Sequence, residues 1–287
     1  MRFFFAFLFL RIFSLPGFGQ AEVTPALATA PAGKLFIIGG GDRPPGLVQA
    51  MVEASGLDTE GYAIILPMAS SEPDTSAFYG IRQFTELGLP AEKFRTYNFV
   101  KGDYPTAALD SLRGARLIYI TGGDQGRFME VVLGSPVYDA IHQAYRQGAL
   151  IAGTSAGAAV MSREMITGNE YKHPEYTGEF RTIEAENIEI KEGLGLMPGA
   201  IVDQHFIYRM RMNRLISVAL EYPGLACIGI DESTAILVEG DSATVVGDAQ
   251  VILLRNTNGK GIAHNGLLGG QGMELSVLLP GDRFRLR

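Results

Sequence analysis

The sequence predicts an α/β fold: a mostly parallel, doubly wound sheet flanked by helices, finished by antiparallel C-terminal strands. Two observations carry this, apolar runs that alternate with amphipathic segments and turns of glycine or small residues at the ends of the runs. The runs K-L-F-I-I (34–38), Y-A-I-I-L-P (62–67), R-L-I-Y-I-T (116–121) and A-L-I-A-G-T (149–154) are short and apolar at their centres without alternation, as strands covered on both faces are. Between them, Leu47 to Ala54, Thr75 to Leu87, Phe128 to Leu133 and Val137 to Gln147 repeat apolar residues every three or four positions, the period of a helix with one buried face. Three runs end in small turns, at Gly39-Gly40-Gly41, at Met68-Ala69-Ser70-Ser71 and at Thr121-Gly122-Gly123-Asp124, on the edge where open α/β sheets bind ligands. Beyond Asp231 the pieces A-I-L-V, A-T-V-V-G, Q-V-I-L-L and S-V-L-L-P read as antiparallel strands completing the sheet or its edge, and glycine-rich Asn256 to Gly272 as a surface loop or hairpin.

With 47% hydrophobic residues and 36 glycines among 287, the chain is that of a compact protein with many tight turns, and no linker divides it. Residues 34–287 are expected to form a single α/β catalytic domain. Lys and Arg number 24 against 31 Asp and Glu, a net charge of −7, which leaves no basic footprint for nucleic acid. Cys227 is the only cysteine, so neither an internal disulfide nor a thiolate metal cluster can form; it is expected to pack as a small hydrophobe. The start, M-R-F-F-F-A-F-L-F-L-R-I-F-S-L-P-G-F-G, reads as a signal peptide over 1–19, followed by a mobile leader over 20–33. Its apolar run is far shorter than the roughly 20 residues of a permanent membrane span. Export to the periplasm or the medium is the expectation.

The stretch A-L-I-A-G-T-S-A-G-A-A-V-M-S (149–162) places Ser155 in G-x-S-x-G after a buried strand and before an apolar helix start. Such an elbow brings neighbouring backbones close together, which Gly153 and Gly157 permit, and projects the hydroxyl at a helix N-terminus that favours a developing oxyanion. A serine nucleophile needs a base, and there are four histidines. His142 lies on an amphipathic helix, while His173 and His264 fall in a polar loop and the glycine-rich tail. His205 follows G-A-I-V-D-Q, a short strand that would end on the site edge. Asp231 and Glu232, after the buried run A-C-I-G-I, are the candidates for the acid that orients it, and spacing does not choose between adjacent residues. The segment D-Q-H-F-I-Y-R-M-R-M-N-R-L (203–215) carries Arg209, Arg211 and Arg214. On one straight helix Arg209 and Arg211 would point about 200° apart, so only an extended segment entering a helix could turn all three toward one carboxylate ligand.

Four motifs, T-G-G-D-Q-x-R (121–127), G-T-S-A-G-A-A-V-M (153–161), D-Q-H-F-x-x-R-x-R-x-x-R-L (203–215) and G-I-D-E-x-T-A (229–235), resemble those of the cyanophycinases. These are serine exopeptidases related to α-aspartyl dipeptidase, with a class I glutamine amidotransferase-like fold. The resemblance spans roughly Lys34 to Leu254 and implies Ser155 as nucleophile, His205 as base and Glu232, rather than Asp231, as the orienting acid. It implies an oxyanion hole from the amides of Gly123 and Ala156, and substrate binding by Gln125, Asp203, Gln204, Arg209, Arg211 and Arg214. The implied substrate is cyanophycin, a polyaspartate whose β-carboxyls carry arginine through isopeptide bonds, or β-aspartyl-arginine peptides. The acid that would meet the substrate guanidinium is not identified; the glutamates between Thr167 and Lys191 could supply it, although a charge-rich loop is usually only solvated. Cofactors and metals are not implied, and the chain has neither H-E-x-x-H spacing, a P-loop nor a dinucleotide fingerprint. The resemblance further implies a homodimer. The alternatives are a related peptidase acting on other aspartyl or isoaspartyl peptides, and an exported protein that binds such ligands without turnover.

Overall fold

The computed structural model describes Met1 and residues 33–175 and 177–287. The expected signal peptide (1–19) and leader (20–33) lie, Met1 and Gly33 apart, outside the described residues. The elements follow in the order β1 (Lys34–Ile38), α1 (Pro45–Ser55), β2 (Ala63–Leu66), α2 (Pro73–Thr85), β3 (Phe94–Thr96), α3 (Thr106–Arg113), β4 (Leu117–Ile120), α4 (Gln125–Val132), α5 (Pro136–Arg146), β5 (Leu150–Thr154) and α6 (Ala156–Ala159). Then come β6 (Glu164–Glu170), β7 (Ile188–Glu192), β8 (Ala200–Gln204), α7 (Met212–Glu221), β9 (Ala226–Ile230), β10 (Thr234–Glu239), β11 (Ser242–Gly247), β12 (Val251–Arg255), β13 (Ile262–His264), β14 (Leu267–Gly269), β15 (Glu274–Leu278) and β16 (Arg283–Arg285).

The main sheet has eight strands in the order β16-β11-β10-β1-β5-β4-β2-β3. Strands β1 to β5 run parallel, and β10, β11 and β16 extend the β1 side antiparallel. Alternate residues of each central strand enter opposite layers. Leu35, Ile37, Ile64, Leu66, Ile118 and Ile120 pack with α3, α4, α5 and α6, whereas Phe36, Ile38, Ala63, Ile65, Leu117 and Tyr119 pack with α1 and α2. That double coverage is why the strands carry no polar alternation. β3 and α3 have no counterpart in the expected pattern: β3 is three residues long with Arg95 and Thr96 exposed, and α3 buries only Ala108, Leu109 and Leu112.

A second sheet, β15-β12-β9-β8, is the larger departure from the expected pattern. β10 and β11 do complete the main sheet, but β12 and β15 belong with β8 and β9 instead. Every residue from Val251 to Leu254 is buried, which an exposed edge would not allow. Ala200, Val202, Ile228, Ile230, Val251 and Leu253 face the main-sheet core, while Ile201, Cys227, Ile252 and Leu254 face α7 and the β6–β7 hairpin. Cys227 is among these packed residues, and burial pushes its thiol up to about 12. Between Asn256 and Gly272, β13 and β14 form an antiparallel hairpin. No helix among the described residues is long and apolar enough to cross a membrane.

The two sheets meet at one corner. His205, just past β8, donates its backbone N–H to Gly39 O at 2.8 Å, and Ser233, just past β9, donates to Gly40 O at 2.9 Å. The C-terminal end of β1 is thereby tied to the ends of β8 and β9, beside the end of β5 where Ser155 stands.

Candidate active site

The strand-to-helix turn after β5 is as tight as its glycines require. A β-carbon on Gly153 would fall closer than 3.0 Å to the carbonyl of Gly157, and one on Gly157 would collide likewise with the carbonyl of Ile120. Ser155 itself sits at φ 55°, a left-handed conformation that costs a side-chain-bearing residue of order 1 kcal/mol or more and is held here by its N–H bond to Ile38 O at 3.1 Å. The turn after β4 lies against it: a β-carbon on Gly122 would stand 3.4 Å from Ser155 Cβ and 3.9 Å from Oγ. The next residue, Gly123, lines the same cavity as Ser155, and Ala156 is the first residue of α6.

His205 completes a relay. Its Nε2 is 2.8 Å from Ser155 Oγ and its Nδ1 is 2.6 Å from Glu232 Oε1. An ionised carboxylate only accepts, so Nδ1 carries the proton and Nε2 presents its lone pair to the serine hydroxyl. Gly40 makes room for the imidazole, since a β-carbon there would overlap Cε1. Asp231 serves the backbone instead, its Oδ1 accepting from the N–H groups of Ile207 at 3.1 Å and Tyr208 at 2.9 Å, which fixes the turn leading out of His205. The pKa of His205 lies below its ordinary 6.5. Burial is the main cause, the bond to Glu232 opposes it, and the charges of Arg209 and Arg211 reinforce it. The imidazole is therefore neutral near pH 7 and can accept a proton from Ser155. The remaining histidines are elsewhere: His142 is half-buried with Nε2 2.8 Å from Leu194 O, and His173 pairs with Glu184 at 2.7 Å.

Ser155 opens onto a cavity of about 270 Å³ lined by Gly123, Asp124, Gln125, residues 167–169, Gln204, Arg209, Arg211 and Arg214. Arg209 and Arg211 lie on the irregular turn between β8 and α7 and Arg214 on the first turn of α7, and this break in helical geometry turns all three to one side. Arg211 Nη1 donates to Gln204 O at 2.6 Å and to Gln204 Oε1. Arg214 stacks its guanidinium 4.3 Å over the Phe180 ring and forms a two-pronged pair with Asp203, Nε to Oδ2 at 2.7 Å and Nη2 to Oδ1. Asp203, 1% exposed, therefore stands behind the cavity rather than in its wall. Gln125 spans from α4 to the facing strand, its Nε2 donating to Ile166 O and Thr167 O.

Among the described residues, none of the glutamates between Thr167 and Lys191 lines this cavity. Glu189 accepts from Thr167 Oγ1 at 2.7 Å and Asn169 Nδ2 at 2.9 Å, and Glu170 accepts from Asn187 at 2.7 Å. Among the described residues, Asp124 is the one carboxylate lining this cavity. It is also the N-cap of α4, accepting from Arg127 N at 3.0 Å, and its place directly after a strand-end Gly-Gly was the available sequence signal. No group of three or more His, Cys, Asp or Glu side chains among the described residues is arranged to hold a metal ion.

A hydroxyl, an imidazole and a carboxylate bonded in series on a nucleophile elbow are the equipment of a hydrolase. Residues 35–246 match the model of peptidase family S51. The chain is 38% identical over 240 residues to a cyanophycinase of Trichormus variabilis, covering 79% of this chain and 76% of the relative. It is 32% identical over 237 residues to a cyanophycinase of Geminocystis herdmanii, covering 79% and 83%. In structure it resembles a peptidase from an acI-B1 actinobacterium, with TM-score 0.66, 22% identity, and coverage of 88% of this chain and 96% of the other. A putative peptidase E protein from Listeria monocytogenes shares the fold at TM-score 0.51 and 16% identity, with 76% and 99% covered. The chain belongs to peptidase family S51, and it is a peptidase.

Proposed function

We propose that this protein is an exported serine exopeptidase that hydrolyses cyanophycin to β-Asp-Arg dipeptides. The observation that carries the reading is the continuous relay from Ser155 through His205 to Glu232, opening directly on a cavity walled by three arginines. The names of the relatives add support. Ser155 Oγ attacks the carbonyl carbon of an aspartyl backbone bond while His205 Nε2 takes its proton, and the imidazolium is held by Glu232. The amides of Gly123 and Ala156 receive the oxyanion. His205 then returns the proton to the leaving amine, and water releases the dipeptide from the acyl-enzyme by the same path in reverse order.

Arg209, Arg211 and Arg214, with Gln125 and Gln204, hold the carboxylates of a β-Asp-Arg unit, guanidinium forks being matched to that geometry. Asp203 acts through Arg214. Asp124 is the acid we assign to the substrate guanidinium. Residues 34–287 are the catalytic domain, acting as a homodimer after removal of 1–19.

The test is release of β-Asp-Arg, identified by mass, from insoluble cyanophycin by the chain starting at Gln20, beside Ser155→Ala. Release abolished by the substitution is the expected result. A folded wild type that cleaves ordinary or isoaspartyl dipeptides but not the polymer would move the substrate elsewhere within aspartyl peptides. Export is tested by the N-terminus of the protein in the producing cell: a cytosolic form retaining residue 1 would end that part of the proposal, and sedimentation decides the dimer.

A further inference from the structure

Ser155 borders a second cavity, of about 360 Å³, that shares no other lining residue with the arginine cavity. Arg43, Tyr119 and Thr154 line it together with Ser76 and Tyr79 of α2, so it lies on the α1–α2 side of Ser155. Among the described residues no carboxylate lines it, and Arg43 is half-buried there. The arginine is held in place by neutral acceptors: Nε donates to Gln83 Oε1 at 2.7 Å and Nη1 to Gly41 O at 3.3 Å. Gln83 is itself buried and anchored, its Nε2 donating to Gly80 O at 2.9 Å. Two further lining groups, Tyr119 Oη and Thr154 Oγ1, are buried with no hydrogen-bond partner among the described residues. Buried hydroxyls without partners are costly unless a ligand or water satisfies them, and a guanidinium without a carboxylate partner beside them sets the sign of that ligand.

We infer that this cavity is a second substrate subsite, taking the residue on the opposite side of the scissile bond from the arginine cavity and holding its carboxylate with Arg43, Tyr119 Oη and Thr154 Oγ1. The inference rests on the functional reading above and extends it. A peptide bond at Ser155 joins two residues, and each needs a place when the carbonyl is within reach of Oγ. In a polymer of β-Asp-Arg units every unit carries the free α-carboxylate of its arginine, so a cationic subsite on each side would recognise two consecutive units. The subsite then favours bonds flanked by a β-Asp-Arg unit on both sides over bonds with such a unit on one side only, a specificity that Ser155, His205 and Glu232 cannot supply.

The experiment uses the two-unit peptide in which a single backbone bond joins two β-Asp-Arg units, with either arginine carboxylate left free or converted to the amide. For Arg43→Gln we expect KM to rise about tenfold or more with kcat little changed, the size of a lost charge-assisted hydrogen bond. Tyr119→Phe should raise KM by a smaller factor. Amidation of the unit facing Arg43 should cost the wild type the same factor and Arg43→Gln nothing, whereas amidation of the other unit should cost both proteins equally. Labelling of Ser155 by phenylmethylsulfonyl fluoride at the wild-type rate in both variants shows that the relay is intact. Unchanged KM in Arg43→Gln, or amidation penalties identical in the two proteins for both units, would overturn the subsite alone. A folded wild type that cleaves no two-unit peptide would overturn the functional reading and the subsite together.

Discussion

Ser155 and His205 reach their shared hydrogen bond from different sheets, and their side chains are positioned by different means. Ser155 is placed by backbone contact: β5 is central in the main sheet, the elbow is wedged between Gly153 and Gly157, and the residue holds a left-handed φ. His205 and the arginines come from the end of the four-stranded sheet; His205 too has a positive φ, 49°, and a backbone bond to Gly39 O, but its ring is oriented by Glu232, and Arg211 and Arg214 are held by side-chain bonds to Gln204 and Asp203. The lesson is that errors on the first side act by steric exclusion, while errors on the second act through charge. Substitutions on the two sides should therefore fail in different ways.

Ser155→Ala is the largest break, with a loss of activity of order a millionfold, the scale seen when a relay nucleophile is removed, and unchanged thermal unfolding. Activity assays beside calorimetry would check this. On the second sheet, Asp203→Asn leaves the nearly fully buried Arg214 without its counter-charge and should destabilise the protein by about 3–5 kcal/mol, read by denaturant titration. A retained midpoint would mean that Asp203 is not the brace we describe. Gly153→Ala should cost about 1–3 kcal/mol through displacement of the elbow, with activity lost before the fold is.

The finest comparison is in pH dependence, where two substitutions should move the profile in opposite directions. Neutral His205 is the active form, so kcat/KM falls as pH drops through the free-enzyme pKa, which burial and the neighbouring arginines place below 6.5. Arg209→Gln removes a charge that lowers this pKa, so the acid limb should shift to higher pH. Glu232→Gln removes the partner that raises it, so the limb should shift to lower pH while kcat drops by up to about ten-thousandfold for want of an oriented imidazole. Shifts in the same direction would show that the electrostatic assignment is mistaken.

Much of this was legible beforehand because it is local. Short continuous apolar runs and period-3.6 apolar patterns write the parallel strands and most flanking helices directly into the chain, and G-T-S-A-G announces an elbow because only glycine fits there. β3 and α3 escaped since three residues with an exposed pair, and two turns with three buried side chains, leave too little pattern. The glycines at 39–41 were visible as a turn, yet their purpose, admitting the ring of His205 and receiving the N–H groups of His205 and Ser233, depends on residues more than 160 positions away.

By itself the sequence determined the class of fold, the elbow that carries Ser155 and the short list of side chains that could join it, all set by steric and periodic rules acting over a few residues. Tertiary structure decided what those rules do not reach. It chose Glu232 over Asp231 by where two neighbouring carboxylates point, gathered β8, β9, β12 and β15 into a second sheet, put Asp203 behind Arg214, and opened cavities on both sides of Ser155. These depend on which strand ends meet at the β1 corner, and that meeting is a property of the packed core as a whole.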